Sequence, residues 1–98
     1  MGMITLHIEH PITELGAWLG AFARFSEARA QGGVTAQRVH RPVDDEKYIY
    51  VQLDFDSEER AAAFKNFLET VVWASPDSSP GLGGTPRARV LKPVSTEG

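Results

Sequence analysis

Apolar and polar residues alternate along several segments of the chain, which is the pattern of a β-strand with one buried face. The alternation is strict in residues 3 to 9 and again in residues 48 to 55. Two more polar segments, residues 34 to 41 and residues 87 to 94, show the same period less strongly. The pattern therefore predicts four strands.

A helix is predicted between the first two strands. Proline cannot donate a ladder hydrogen bond, so Pro11 is expected to end the first strand and to leave His10 in a loop. Thr13 is the predicted N-cap, and apolar residues follow at helical spacing from Leu15 onward. The glycine pair at positions 32 and 33 is expected to end this helix.

A second helix is predicted after the third strand. Asp56 and Ser57 are alternative N-caps, and apolar residues three and four apart continue to an expected end near Trp73. Residues 74 to 86 are rich in proline, glycine and serine, which oppose regular structure. This segment is therefore predicted to be a mobile loop.

The predicted elements occur in the order strand, helix, strand, strand, helix, strand. With right-handed crossovers, two interleaved βαβ units give a four-stranded antiparallel sheet of strand order 4-1-3-2 with both helices on one face. The apolar faces of the strands and helices then meet in one core. The sequence thus predicts a ferredoxin-like α+β fold (βαββαβ) that forms a single domain over residues 3–94.

Composition narrows the class of protein further. The chain has 98 residues, a net charge of −3 and no cysteine, which excludes disulfides and thiolate metal sites. No apolar segment approaches the roughly 18 residues of a membrane-spanning helix, and no dense cluster of Lys and Arg marks a nucleic-acid surface. The N-terminus lacks the pattern of a secretory signal. We expect a cytoplasmic protein that binds neither membrane nor nucleic acid and holds no metal or cofactor.

The sheet face opposite the helices carries the candidate chemistry. Alternation assigns His7, Arg38, His40 and Tyr50 to this open face. A histidine base, a phenol and a guanidinium can act together on a polarised oxygen, so these four are the candidate catalytic residues. His7 and His40 would hold a metal with Glu9 only if the strand register brought the three together. The same face can instead lie in solvent or form a dimer interface, and its aromatic content and the small chain favour a homodimer.

In element order, length and patterning over residues 3–94, the chain resembles the dimeric α/β-barrel superfamily, in which two sheets pack into a barrel. Antibiotic-biosynthesis-type monooxygenases are one branch of this superfamily. The resemblance implies a pocket between sheet and helices or inside the barrel, used by some members for small hydrophobic or polyketide-like substrates and by others for haem. The chain is also similar to small uncharacterised proteins of actinobacteria.

Two functions follow as hypotheses. The first is a cofactor-independent monooxygenase-like or cyclase-like enzyme that acts on a small hydrophobic molecule, with the four open-face residues at its site. The alternative is a non-catalytic dimer module, either structural or similar to the ACT domains that bind small metabolites. The turn after the first strand, residues 10 to 13, lacks the Asp-x-Pro-Gly-type pattern of that second family.

Overall fold

Four strands form one antiparallel sheet in the computed structural model, which describes residues 3–96 of the chain. They are β1 (Ile4–Pro11), β2 (Ala36–His40), β3 (Tyr48–Phe55) and β4 (Arg87–Leu91). Their order across the sheet is β2-β3-β1-β4, which is the predicted order counted from the other edge. The predicted ferredoxin-like topology is confirmed.

Three α-helices pack on one side of this sheet: α1 (Leu15–Arg24), α2 (Ser26–Gln31) and α3 (Glu58–Phe67). A π-helical turn, Leu68–Val72, continues α3 to the predicted end near Trp73. The first predicted helix is divided in two at Phe25, whose φ of −103° and ψ of 15° leave the helical range. None of the helices within residues 3–96 has the length and apolar character needed to span a bilayer.

The helix caps differ in part from the prediction. Glu14, not Thr13, caps α1, because its carboxylate accepts from the backbone N–H of Gly16 at 3.0 Å and of Ala17 at 3.3 Å. The N–H of Thr13 is instead bonded to the carbonyl of Gly81 at 2.8 Å. The bond between Thr13 and Gly81, which is distant in sequence, therefore places the N-cap of α1 one residue later than predicted. For α3 the alternatives resolve to Ser57.

The core lies between the sheet and the helices. Alternate residues of β1 and β3 face inward, and four side chains are almost fully buried there: Leu6, Ile49, Leu53 and Phe55. The helices complete the core with Trp18, Ala61, Phe64, Leu68 and Val72. The period-2 and helical patterns of the sequence therefore meet in one apolar layer, and none of the helices within residues 3–96 covers the other sheet face.

The first strand is longer than predicted. It continues through His10 and Pro11, which lie opposite Ile49 and Tyr48 of β3. The next residue, Ile12, donates its N–H to the carbonyl of Lys47 at 2.8 Å, so the Pro11 nitrogen points to the other side of the strand. The pairing of β1 with β4 stops at Glu9 on that side, so a missing donor costs nothing there. The placement of His10 in a loop is wrong, since His10 lies on the inward face and is 3% exposed.

The segment predicted as a mobile loop, residues 74 to 86, lies over the turn between β1 and α1. We call it the roof loop. Leu82 forms an isolated bridge with Ile12, and the N–H of Gly83 donates to the carbonyl of Pro11 at 3.0 Å. These bonds, with that of Thr13 to Gly81, hold the loop against the end of β1. Its mobility stays a prediction.

Candidate functional site

The four residues predicted for the open face all lie on it. Arg38 and His40 of β2 are opposite Gln52 and Tyr50 of β3. His7 of β1 is also opposite Gln52, and directly opposed residues of antiparallel strands share a face. The rings of His7 and Tyr50 lie with centroids 5.9 Å apart. The predicted register of β2 is therefore correct.

One half of this face is organised around an arginine–carboxylate pair. Arg38 donates from Nη1 and Nη2 to the two oxygens of Asp54 at 3.0 and 2.8 Å, and from Nε to the Oε1 of Gln52 at 3.2 Å. Thr5 adds a hydroxyl bond to Asp54 at 2.8 Å. The Arg38 guanidinium lowers the pKa of Asp54, so the pair stays ionised. Three of the five N–H donors of Arg38 are thus used by neighbours within the chain.

The other half joins His7 to Glu9. Because the Oε1 of Gln52 accepts from Arg38, its Nε2 donates to the Nδ1 of His7, at 3.3 Å. His7 then carries its proton on Nε2 and donates it to the Oε2 of Glu9 at 2.9 Å. Tyr48 donates its hydroxyl to the other carboxylate oxygen at 2.9 Å. The bond from His7, followed by that from Tyr48, lowers the pKa of Glu9.

These bonds leave His7 no free ring nitrogen. A base needs an available lone pair, and the Nδ1 lone pair of His7 already accepts from Gln52. His40 is exposed, and its side chain makes no hydrogen bond to another described residue. Within residues 3–96, no three metal-binding side chains come together, so Glu9 and the two histidines do not form a metal site. The open face is therefore a self-satisfied polar network, and a catalytic role for its residues stays a prediction.

A second candidate site lies on the opposite side of the sheet. An apolar cavity of about 80 Å³ separates the sheet from α1, α3 and the roof loop. Its walls include Trp18, Phe22 and Phe25 from the first helical region and Val51 and Leu53 from β3, and residues 78–80 and 82 cover it. This volume is several times that needed by one water molecule. The cavity is smaller than a typical ligand pocket, so it has room for only part of a small apolar molecule.

His10 lines this cavity. Its Nδ1 donates to the carbonyl oxygen of Pro11 at 2.8 Å, which assigns the proton to Nδ1 and leaves the lone pair on Nε2. No described residue bonds to that Nε2, although no fully buried side-chain polar atom lacks a partner, so Nε2 keeps contact with open space. Burial lowers the pKa of His10, and the bond to Pro11 opposes this in part. At neutral pH His10 is a neutral imidazole with a free lone pair.

Arg29 of α2 also lines the cavity and is 7% exposed. It donates from Nη1 to the carbonyl of Phe22 at 2.7 Å and from Nε to the Oε1 of Gln37 at 2.9 Å. Its guanidinium carbon lies 3.7 Å from the centre of the Phe22 ring, a cation–π contact. Burial lowers the pKa of Arg29.

A wall of aromatic rings connects His10 and Arg29 across the cavity. The rings of Trp18 and Phe22 are stacked, with centroids 4.9 Å apart and an interplanar angle of 21°. His10 lies 6.3 Å from the Trp18 ring at one end, and Arg29 lies over the Phe22 ring at the other. Sequence reasoning missed both residues, because it placed His10 in a loop and did not single out Arg29. The helical spacing of the aromatic residues was the available signal.

The chain matches no protein-family model and no curated protein sequence. Solved structures with the same fold are found. One is SnoaB of Streptomyces nogalater, a cofactor-independent oxygenase, with a TM-score of 0.70 and 16% identity over 98% of this chain and 97% of that one. The structural likeness shows a shared ferredoxin-like fold.

Two further structures illustrate the range of proteins with this fold. The monooxygenase ActVA-Orf6 of Streptomyces coelicolor, solved with the ligand nanaomycin D, has a TM-score of 0.64 and 16% identity over 97% of this chain and 90% of its own. A dimeric ferredoxin-like protein from an uncultured marine organism has a TM-score of 0.59 and 7% identity over 100% and 95%. At these identities the likeness concerns the fold and leaves the function to be argued from the site.

Proposed function

We propose that the protein is a cofactor-independent monooxygenase-like enzyme that acts on a small hydrophobic aromatic molecule in the cavity between sheet and helices. The observation that carries the proposal is His10, a buried neutral base beside an apolar cavity walled by stacked aromatic rings. The fold shared with a cofactor-independent oxygenase and with a ligand-bound monooxygenase supports it.

This reaction requires two things of the protein: a base and a cavity that excludes water. An oxygenase without a cofactor takes the electrons for dioxygen from its substrate, so the substrate must first lose a proton to become electron-rich. His10 Nε2 would accept that proton from an acidic C–H group, and the carbanion would then reduce dioxygen and form a C–O bond. Loss of water from the resulting hydroperoxide balances the reaction: CH₂ and O₂ give C=O and H₂O.

The surroundings of His10 suit this task. The carbonyl of Pro11 accepts from Nδ1 and so keeps the lone pair on Nε2. The apolar walls exclude water that would compete for the carbanion. His7, Arg38, His40 and Tyr50 lie on the other face of the sheet, and we assign them no part in this step.

The test uses anthrone, a tricyclic ketone whose methylene is acidic because its anion is an aromatic phenolate. We expect the wild-type protein to accelerate oxygen consumption with anthrone in the presence of EDTA, with one dioxygen consumed for each anthraquinone formed. An oxygen electrode and chromatography measure both quantities. The assay is repeated with a series of hydroxylated anthrones. If the protein oxidises none of these compounds faster than buffer does, the oxygenase proposal fails and the non-catalytic alternative is favoured.

For the open face we propose pairing with a second copy of the chain. The T-shaped pair of Tyr48 and Tyr50, with ring centroids 5.3 Å apart, is only half-buried because no helix covers this face. One protein with this fold is described as dimeric, which supports the proposal. A paired face would bury these rings and leave the cavity on the outer side of each sheet.

Light scattering is expected to give about twice the chain mass of 10.8 kDa. Tyr50→Lys places a charge at the centre of the proposed interface. The Tyr50 hydroxyl makes no hydrogen bond with the described residues, so the polar network of the open face should persist in this variant. We expect this variant to be a monomer at micromolar concentration. Leu19→Lys, an exposed apolar residue on α1, is the matched control and should remain a dimer. A wild-type monomer would contradict the prediction.

A further inference from the structure

Arg29 is a buried cation without an anionic partner. No carboxylate of the described residues lies within ion-pair distance of it, whereas Arg38 is paired with Asp54. A guanidinium has five N–H donors, and Arg29 uses one on Nε and one on Nη1. Its Nη2 has no bond to a described residue, yet among residues 3–96 no fully buried side-chain nitrogen or oxygen lacks a partner, so Nη2 is in contact with open space.

Such a burial is costly unless something compensates the charge. The carbonyl of Phe22, the amide of Gln37 and the Phe22 ring supply partial compensation, but all three are neutral. Three N–H donors remain, and Arg29 lines the apolar cavity. An anionic oxygen entering the cavity would meet the unpaired charge and the free donors together.

We infer that the cavity binds planar aromatic molecules that carry an anionic oxygen, such as a carboxylate, phenolate or enolate, and that Arg29 holds this oxygen. The flat ring lies against Trp18 and Phe22, and the oxygen lies at the Phe22 end beside α2. This inference rests on the proposed use of the cavity and adds the chemical class of its ligand. It also gives the ligand one orientation, with the anionic oxygen at Arg29 and the opposite edge toward His10.

The probes are 2-naphthoate and 2-naphthamide, which have the same shape and differ in charge. Titration of each into the wild-type protein, followed by calorimetry and by the fluorescence of Trp18 and Trp73, gives the two dissociation constants. We expect 2-naphthoate to bind at least 10-fold more tightly. Arg29→Gln should bring the two constants within about 2-fold by weakening naphthoate binding alone. Arg41→Gln, an exposed arginine beyond β2, makes the same change in net charge and should keep the preference.

The outcomes separate this inference from the proposed function. Equal binding of the two probes by the wild-type protein overturns the role of Arg29, whether or not the variant folds, and leaves the oxygenase proposal to the anthrone assay. A preference for naphthoate that survives Arg29→Gln, with the melting temperature unchanged, also overturns it. Binding of neither probe by the wild-type protein also overturns the inference, and the anthrone assay still decides the proposed function.

Discussion

Replacing His10 with glutamine is expected to lower anthrone-dependent oxygen consumption about 100-fold or more, the usual contribution of a positioned general base. Glutamine nearly fills the same volume and can still donate to the Pro11 carbonyl, but its amide does not accept a proton near neutral pH. The loss should appear in kcat, because the aromatic walls that bind the ring are unchanged. Stopped-flow measurement of anthraquinone formation at several anthrone concentrations gives kcat and KM.

The pH dependence provides a second readout. Burial lowers the pKa of His10 below its ordinary value of 6.5, so its base form predominates at pH 7. Wild-type turnover should therefore fall as the pH falls through this lowered pKa, at a more acidic pH than a solvent-exposed histidine would give. His7→Gln, on the other face of the sheet, should retain activity. If His7→Gln is inactive and His10→Gln active, the reaction belongs to the open face and the assignment to the cavity is wrong.

Replacing Gly81 with alanine is expected to destabilise the fold by about 2–4 kcal/mol. Gly81 has a φ of +88°, which L-residues adopt only with strain. A Cβ there would lie 2.7 Å from the backbone nitrogen of Trp18 and 2.9 Å from its Cα. These are backbone atoms at the start of α1 that cannot turn aside, so the roof loop must move. Chemical unfolding measures the loss in the free energy of unfolding, and the affinity for 2-naphthoate shows whether the cavity has changed.

Gly20→Ala is the matched control for this substitution. Gly20 lies within α1, and an added Cβ would meet nothing within 4 Å. Alanine should therefore stabilise the protein by about 0.5–1 kcal/mol, because glycine is a poor helix former. Opposite signs for the two alanines are expected. A Gly81→Ala protein as stable as the wild type would show that the roof loop is not seated against α1 in solution.

The sequence was sufficient to predict the sheet and its open face. Strict alternation in β1 and β3 determines which side chains face the helices, because a slip by one residue would expose Leu53 and bury Gln52. The same period in β2 placed Arg38 and His40 correctly, although that strand is short and polar. Patterning succeeded here because each position depends on its own strand.

The cavity could not be predicted in the same way. Pro11 is a strand breaker in isolation, and it is tolerated only because β4 ends before reaching it, which is a property of the whole sheet. The inward position of His10 follows from that tertiary fact. Arg29 is buried because the helix is interrupted at Phe25, whose backbone N–H donates to the carbonyl of Phe22, three residues back. No local pattern in the sequence marks this break.

The carbonyl oxygen of Pro11 accepts two hydrogen bonds, one from His10 Nδ1 and one from the backbone N–H of Gly83 in the roof loop. One atom thus joins the imidazole to the cover of the cavity. Displacement of the loop would remove the Gly83 bond and leave this oxygen a stronger acceptor for the imidazole proton. A substitution that shifts the roof loop is therefore expected to change the proton affinity of His10 without contacting its side chain.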